Sequence, residues 1–245
     1  MPLLDSRKED ILGFVVRDFV RTAFPVSSNA VFGGLRLEVS PATIRNIMLE
    51  LDDMGYLYQP HTSAGRAPTE KGYRYFTLHL MSVKQPEVEM RTRLDKIVEN
   101  MERETDSAFE ELSRALSSHL KLFSGIGLLD EDEKIFGKGL SEVFRAPEFA
   151  EPNLAAEFAD FAENIEENLL DLNRRGVTEH DLEPTFHVSG FGMASVFFDD
   201  DEFGRCAVFS AGPKRMNYEK SASVLKYTAK DIKSKNKKNA RRRNN

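Results

Sequence analysis

Ser40-Pro-Ala-Thr-Ile-Arg-Asn-Ile-Met-Leu-Glu-Leu-Asp-Asp-Met-Gly-Tyr-Leu-Tyr-Gln-Pro-His-Thr-Ser-Ala-Gly-Arg-Ala-Pro-Thr-Glu-Lys-Gly-Tyr-Arg74 holds a helix start, a helix stop, a short strand and a polar loop in one stretch. Ser40 is a natural N-cap. Pro41 takes the first helical position, where its missing N–H costs nothing. The helix is predicted to run to about Met54, with Ile44, Ile47, Met48 and Leu51 on one face. Ala42, Asn46, Glu50 and Asp53 lie on the opposite face, and Thr43 and Arg45 flank it. Gly55 ends the helix as a C-terminal glycine should. Tyr56 to Gln59 has the composition of a strand, and Pro60 to Pro68 is a loop rich in turn formers.

Working outward, Ser6 to Ala23 reads as a helix, because Ile11, Phe14, Val15, Asp18, Phe19 and Thr22 recur at helical spacing. Pro25 stops it. Ser27 or Ser28 caps a second helix through Phe32, ending at the Gly33-Gly34 turn. Downstream, Thr69 caps a fourth helix through Met81, with Tyr73, Phe76 and Leu80 on one side. Three helices followed by strand and loop is winged-helix order, so residues 1–82 are expected to form a winged helix-turn-helix DNA-binding domain.

Pro86 marks a linker. Glu87 to Leu120 then reads as one long helix with a seam of Leu94, Val98, Met101, Thr105, Ala108, Leu112, Ala115 and His119. Such a seam suits either a helix packed on its own domain or one half of an intermolecular pair. Strands are expected at Leu122–Leu129 and Lys134–Lys138 around the acidic turn Asp130 to Glu133. The segment Pro147-Glu148-Phe149 and a helix from Asn153 to Asn173 follow. Three more strands are expected at Pro184–Ser189, Met193–Phe198 and Gly204–Ala211, the last two joined by a solvated turn at Asp199 to Glu202. A helix from Asn217 to Lys233 closes the domain. This order indicates an α+β second domain. The expected organisation is 1–82 winged helix, 83–121 linker and long helix, 122–233 α+β second domain, which the resemblance described below implies to be regulatory and dimerising, and 234–245 basic disordered tail.

A chain of 245 residues is long enough for two domains, each with its own core. It has no uninterrupted apolar run of membrane-spanning length and no signal-peptide pattern at its start, so a cytoplasmic location without membrane partners is expected. The net charge of −6 is unevenly distributed. Residues 1–85 hold 10 basic and 9 acidic side chains, residues 86–225 hold 15 and 30, and residues 226–245 hold 9 and 1. The single cysteine, Cys206, excludes an internal disulfide and reads as a buried small residue.

No catalytic set is recognisable: nucleophile, base and orienter are not assembled by any motif, and there is no phosphate-cradling loop. The chain is therefore not expected to be an enzyme. Nor is a cofactor or metal expected. His79, His119, His180 and His187 lack ligand spacing, the four acids at 199–202 lack a calcium-loop pattern, and Gly125-Ile-Gly127 and Gly190-Phe-Gly192 read as turns or close packing.

The Ser40–Arg74 stretch closely resembles the DNA-binding region of the HrcA heat-inducible repressors. Its distinctive parts are Ala42-Thr-Ile-Arg-Asn46, Gln59-Pro-His-Thr-Ser-Ala-Gly-Arg66, and Pro68-Thr69 followed by Gly72-Tyr-Arg74. The likeness resumes at Gly139 through Pro147-Glu148-Phe149, and at Ala211-Gly-Pro-Lys-Arg-Met-Asn-Tyr218. It implies a GAF-like second domain, hence an α+β chain of winged helix plus GAF-like domain joined by a long connecting helix. It further implies a homodimer, repression of chaperone operons at an inverted-repeat operator in double-stranded DNA, and a chaperonin partner. The chain departs from the family in lacking a long stretch with an inserted domain between Leu129 and Gly139, and in carrying Ile47 where an acidic residue is usual.

A helix entering the major groove reads bases with its first turns, which singles out Thr43, Arg45 and Asn46. Ser40 is placed to cap the helix and contact phosphate, and His61, Thr62, Ser63 and Arg66 tip the wing. Arg74, in the matched segment, joins the DNA-binding set. The basic tail, with Lys233, Lys235, Lys237, Lys238 and Arg241 to Arg243, suits either nonspecific phosphate contacts or a solubilising end. Two other functions fit the same residues: a ligand-sensing regulator and a winged-helix protein-interaction module.

Overall fold

A computed structural model of the chain describes residues 3–35, 39–101, 105–130, 134–174, 182 and 184–243. Residues 131–133 of the acidic turn and His180 lie outside these, as do the last two residues of the expected tail. Two compact units emerge, Met1–Ser82 with Lys214–Asn217, and Val83–Pro213 with Tyr218–Asn245.

In the first unit, helices α1 (Ser6–Thr22), α2 (Ser28–Gly34) and α3 (Pro41–Asp53) precede a two-stranded antiparallel ribbon of β1 (Leu57–Tyr58) and β2 (Ala67–Pro68). Helix α4 (Glu70–Tyr75) then passes into a π-helical turn, Phe76–Leu80. Each of the first four helices begins on a side-chain cap, respectively Asp5, Ser27, Ser40 and Thr69, satisfying a backbone N–H that the helix leaves orphaned. The buried side of α1 is Ile11, Leu12, Val15 and Val16, whereas Phe14, Asp18, Phe19 and Thr22 are half-buried. The expected stripe was therefore rotated, because Leu12 and Val16 pack inward in place of the polar Asp18. The Tyr75 hydroxyl ties the start of the chain to α4, accepting from Leu4 N at 2.8 Å and donating to Glu9 Oε1 at 2.7 Å. Burial pushes the Tyr75 phenol above its ordinary pKa, keeping it the donor.

The second unit is built on a five-stranded antiparallel sheet of order β4-β3-β7-β6-β5. The strands are β3 (Phe123–Leu128), β4 (Lys134–Lys138), β5 (Pro184–Ser189), β6 (Phe191–Asp200) and β7 (Gly204–Pro213). Because side chains alternate along a strand, register separates two faces. Met193, Phe197, Ala207, Phe209 and Ala211 share one face and pack with Val143, Phe149, Phe158 and Leu169. These come from α7 (Leu140–Val143), a 3₁₀ turn at Pro147–Ala150, α8 (Pro152–Glu163) and α9 (Ile165–Arg174). The region expected as one helix, 153–173, is thus two. Ala194, Val196, Phe198, Cys206 and Val208 face the other way. That face carries α6 (Thr105–Leu120) and α10 (Tyr218–Arg243), with α5 (Val88–Asn100) packed on both.

Four expectations change here. The long helix is broken into α5 and α6 after Asn100, and both belong to the second unit instead of forming a separate connector. Its seam residues Leu94, Val98, Met101, Ala108, Leu112 and Ala115 are all buried within the chain, so the intermolecular reading gives way to packing on the chain's own domain. Helix α10 runs to Arg243 where a disordered tail was expected from residue 234; Ile232 and Asn236 are buried, which anchors the helix past Lys233. Asn236 Nδ2 donates to Asp200 Oδ1 at 2.9 Å, and the same oxygen accepts from Glu202 N and Phe203 N. The acidic turn at 199–202 is accordingly a capped, partly buried hairpin end and not a wholly solvated one. Cys206 is buried, and desolvation with the nearby Asp200 raises its thiol pKa far above normal.

Truncating Leu112 to Ala should cost about 2–5 kcal/mol of unfolding free energy in a denaturant titration, as for other buried leucines. The loss should not depend on protein concentration; a concentration-dependent loss would restore the intermolecular seam.

Candidate nucleic-acid interface

Helix α3 is held from behind and bare in front. Ile44 and Leu51 are fully buried and Met48 nearly so, while Ala42, Thr43, Arg45, Asn46, Leu49 and Glu50 are exposed. Ser40 Oγ accepts from Thr43 N at 3.1 Å and lies 3.0 Å from Thr43 Oγ1, so both hydroxyls are engaged at the helix start. Lys8 Nζ reaches Glu50 Oε2 at 3.0 Å, bracing α3 on α1. The Lys8 ammonium is held above its usual pKa by its hydrogen bonds to Asp5 and Glu50.

At its C-terminal end α3 is clasped by the segment that follows the ribbon. The Thr69 hydroxyl donates to Gly55 O at 2.7 Å and accepts from Gly72 N at 3.1 Å. Lys71 Nζ donates to Met54 O at 2.6 Å and sits 4.4 Å from the centre of the Tyr56 ring. A Cβ on Gly72 would stand 2.2 Å from Tyr56 O, so any side chain there would force the clasp apart. Much of the Pro68-Thr69…Gly72-Tyr73 motif is therefore structural, and Tyr73 itself is buried.

In the loop between β1 and β2, His61, Thr62 and Ser63 are exposed. Gln59 Nε2 donates to Thr62 O at 3.0 Å and Ala64 O at 2.9 Å, folding the loop on itself. Val26 and Arg66 exchange backbone hydrogen bonds of 2.8 Å in both directions. A Cβ on Gly65 would meet Val26 O at 2.3 Å, so only glycine permits this approach.

Arg66 is engaged within the chain. Its Nε lies 2.7 Å from Asp52 Oδ2, and its side chain is only 12% exposed. The ion pair ties the loop to α3. Arg74 is exposed on α4 and has interactions of its own. The structure thus brings Ser40, Thr43, Arg45 and Asn46 onto one helix start, puts His61, Thr62 and Ser63 at one loop tip, and pairs Arg66 with Asp52 of α3. Sequence reasoning missed Leu49 and Tyr58, which are 42% and 44% exposed. For Leu49 the signal was present, since it falls one turn beyond Arg45 and Asn46, away from the buried stripe.

Among the described residues there is no group of three or more His, Cys, Asp or Glu side chains arranged to hold a metal ion. No helix among them is long and apolar enough to cross a membrane.

No protein-family model matches the chain. Curated relatives do. The heat-inducible transcription repressor HrcA of Carboxydothermus hydrogenoformans is 39% identical over 145 residues, 59% of this chain and 42% of that protein. The Geobacter sulfurreducens HrcA is 41% identical over 125 residues, 51% of this chain and 36% of its own length. The Pelotomaculum thermopropionicum HrcA reaches 54% identity over 78 residues, 32% of this chain and 22% of its own length. A crystal structure of a hypothetical protein shares the fold, covering 94% of this chain and 97% of its own, with a TM-score of 0.64 at 17% identity. By sequence, then, this chain is similar to the heat-inducible transcription repressors HrcA, and it spans 42% or less of the length of these three relatives.

Proposed function

We propose that the chain is a sequence-specific DNA-binding repressor of heat-shock chaperone genes. The observation that supports this best is the exposed start of α3, where Thr43, Arg45 and Asn46 stand on a helix fixed by Ser40, Ile44, Met48, Leu51 and two inter-element ion pairs. On this reading the first unit is a winged helix-turn-helix module whose α3 enters the major groove. The Arg45 guanidinium suits guanine O6 and N7, and the Asn46 amide suits adenine N6 and N7. Leu49 presents methyl groups suited to thymine. His61, Thr62 and Ser63 touch the backbone or the minor groove, while Ser40 and Arg74 serve phosphates.

The repressor acts as a homodimer on an inverted repeat in double-stranded DNA, because two-fold symmetry gives two copies of α3 to two half-sites. The near balance of basic and acidic residues over 1–85 gives the module little nonspecific pull, so a second copy adds needed phosphate contacts. The second unit, GAF-like in this reading, sets dimer geometry. Heat, or loss of a chaperonin partner, releases DNA by disordering that unit. The space between one sheet face and α7 to α9 is filled by the rings of Phe123, Phe149, Phe158 and Phe209, which favours an assembly role over ligand sensing.

Replacing Arg45 or Asn46 by Ala should each weaken operator binding by about 1–3 kcal/mol, roughly 5- to 150-fold, and relax preference at one base position, with the thermal melt unchanged. Equal losses on scrambled DNA would reduce these residues to phosphate contacts. Arg66→Ala should behave differently: breaking its partly buried pair with Asp52 should destabilise the first unit by about 1–3 kcal/mol, with base preference retained. If Arg66→Ala alters base preference and leaves the melt intact, Arg66 is a reading residue after all.

A further inference from the structure

The two faces of the sheet in the second unit are closed in different ways. Towards α7, α8 and α9, the rings of Phe149, Phe158, Phe197 and Phe209 pack together, and the buried Ser195 Oγ lies 2.8 Å from Thr185 Oγ1. On the other face α10 packs against β6, and its buried stripe is Ala222, Leu225, Ala229 and Ile232, in which every second member is alanine. Beside this stripe Ser221 is fully buried, and its Oγ has no hydrogen-bond partner among the described residues. The same holds for Ser210 Oγ of β7, which alternation places on the α10 side with Cys206 and Val208. Towards the late turns of α10, Asp200 of β6 is only 6% exposed; its Oδ1 accepts from Asn236, Glu202 N and Phe203 N, while Oδ2 has no hydrogen-bond partner. The aromatic face holds no such atom among the described residues.

A buried polar atom without a hydrogen bond carries a desolvation penalty that water removes as soon as the layers part. Opening the α10 layer therefore restores hydration at three atoms. Opening the aromatic layer restores none and exposes large ring surfaces. Local opening of a folded protein begins where the closed state gains least, and here that is the seam under α10. Ser210 and Ser221 weaken the early part of the helix, and Asp200 lies beneath its late turns.

We propose that the seam between α10 and the sheet is a built-in thermal weak point, the layer that parts first when the second unit is heated, with the Ser210 and Ser221 hydroxyls setting the temperature at which it does so. Parting uncovers Val196, Phe198 and Val208, an apolar strip of the sheet. The seam gives the heat release of DNA a location, and in that respect it rests on the reading that this unit governs binding.

The test is amide hydrogen exchange on the full chain, without DNA, at temperatures rising towards the melt. Amides of residues 221–236 should exchange faster than those of β6, β7 and α8, and an apolar fluorescent dye should bind before the melt. Ser210→Ala and Ser221→Ala should each slow exchange in α10 about tenfold, because alanine fills most of the same space without a hydroxyl to desolvate. Alanine also favours a helix by itself, so Ser234→Ala, at an exposed position of α10, measures that contribution alone. If α10 exchanges in step with the sheet and α8, the seam is not the first layer to part and the proposal falls. It falls equally if Ser210→Ala slows nothing and Ser221→Ala gains no more than Ser234→Ala, or if either buried serine variant melts below the wild type. A parallel assay follows operator release on heating, which should move to higher temperature in Ser210→Ala. An exchange pattern as expected with an unmoved release temperature would uphold the seam and overturn the reading that the second unit governs DNA.

Discussion

The clasp at the C-terminal end of α3 is the constraint on which the rest of the first unit depends. Thr69, Lys71 and Gly72 engage the carbonyls and turn of residues 54–56, so the direction of α3, the start of α4 and the ribbon are fixed by one small set of contacts. The ribbon's loop is tied in turn to α3 by Arg66 on Asp52 and to the start of α2 by the Val26–Arg66 pair. A reading helix must hold its side chains to within about half an ångström to discriminate bases, and that precision comes from supporting residues as much as from those that face outward. The exposed face of α3 can be polar because its rigidity is supplied from behind.

The second unit solves a different problem. A sheet with two apolar faces must be covered on both, and here each face has its own layer of helices. The aromatic packing of Phe123, Phe149, Phe158, Phe197 and Phe209 fills one side; α6 and α10 close the other, with Asn236 hydrogen-bonded to the buried Asp200 to hold the late turns of α10 in place. His119, near the end of α6, has its pKa lowered chiefly by burial, with Lys220 adding to the effect.

Local signals carried much of this fold. Ser40, Pro41 and Gly55 punctuate α3, and the apolar spacing of Ile44, Met48 and Leu51 places its buried side, because caps, glycine stops and periodicity are written in adjacent residues. What failed depended on contacts distant in sequence. The Arg66–Asp52 pair was hidden because nothing in a polar loop announces that its arginine turns back to a helix. The break between α5 and α6 was hidden because the heptad spacing continues smoothly through Met101 and Thr105. The length of α10 was hidden because Lys- and Arg-rich composition suggested a disordered tail, while the buried Ile232 and Asn236 hold its turns. On α1, Ile11 and Val15 of the expected stripe are buried, but its phenylalanines are only half-buried, because Leu12 and Val16 pack inward.

The most direct test of the central claim is binding of the purified chain to an inverted-repeat chaperone-operon operator beside a scrambled duplex, at fixed near-physiological salt and at several temperatures. The account requires clear preference for the operator at low temperature, fading as the second unit melts; equal affinity for the two duplexes, or preference that persists above that melt, would contradict it.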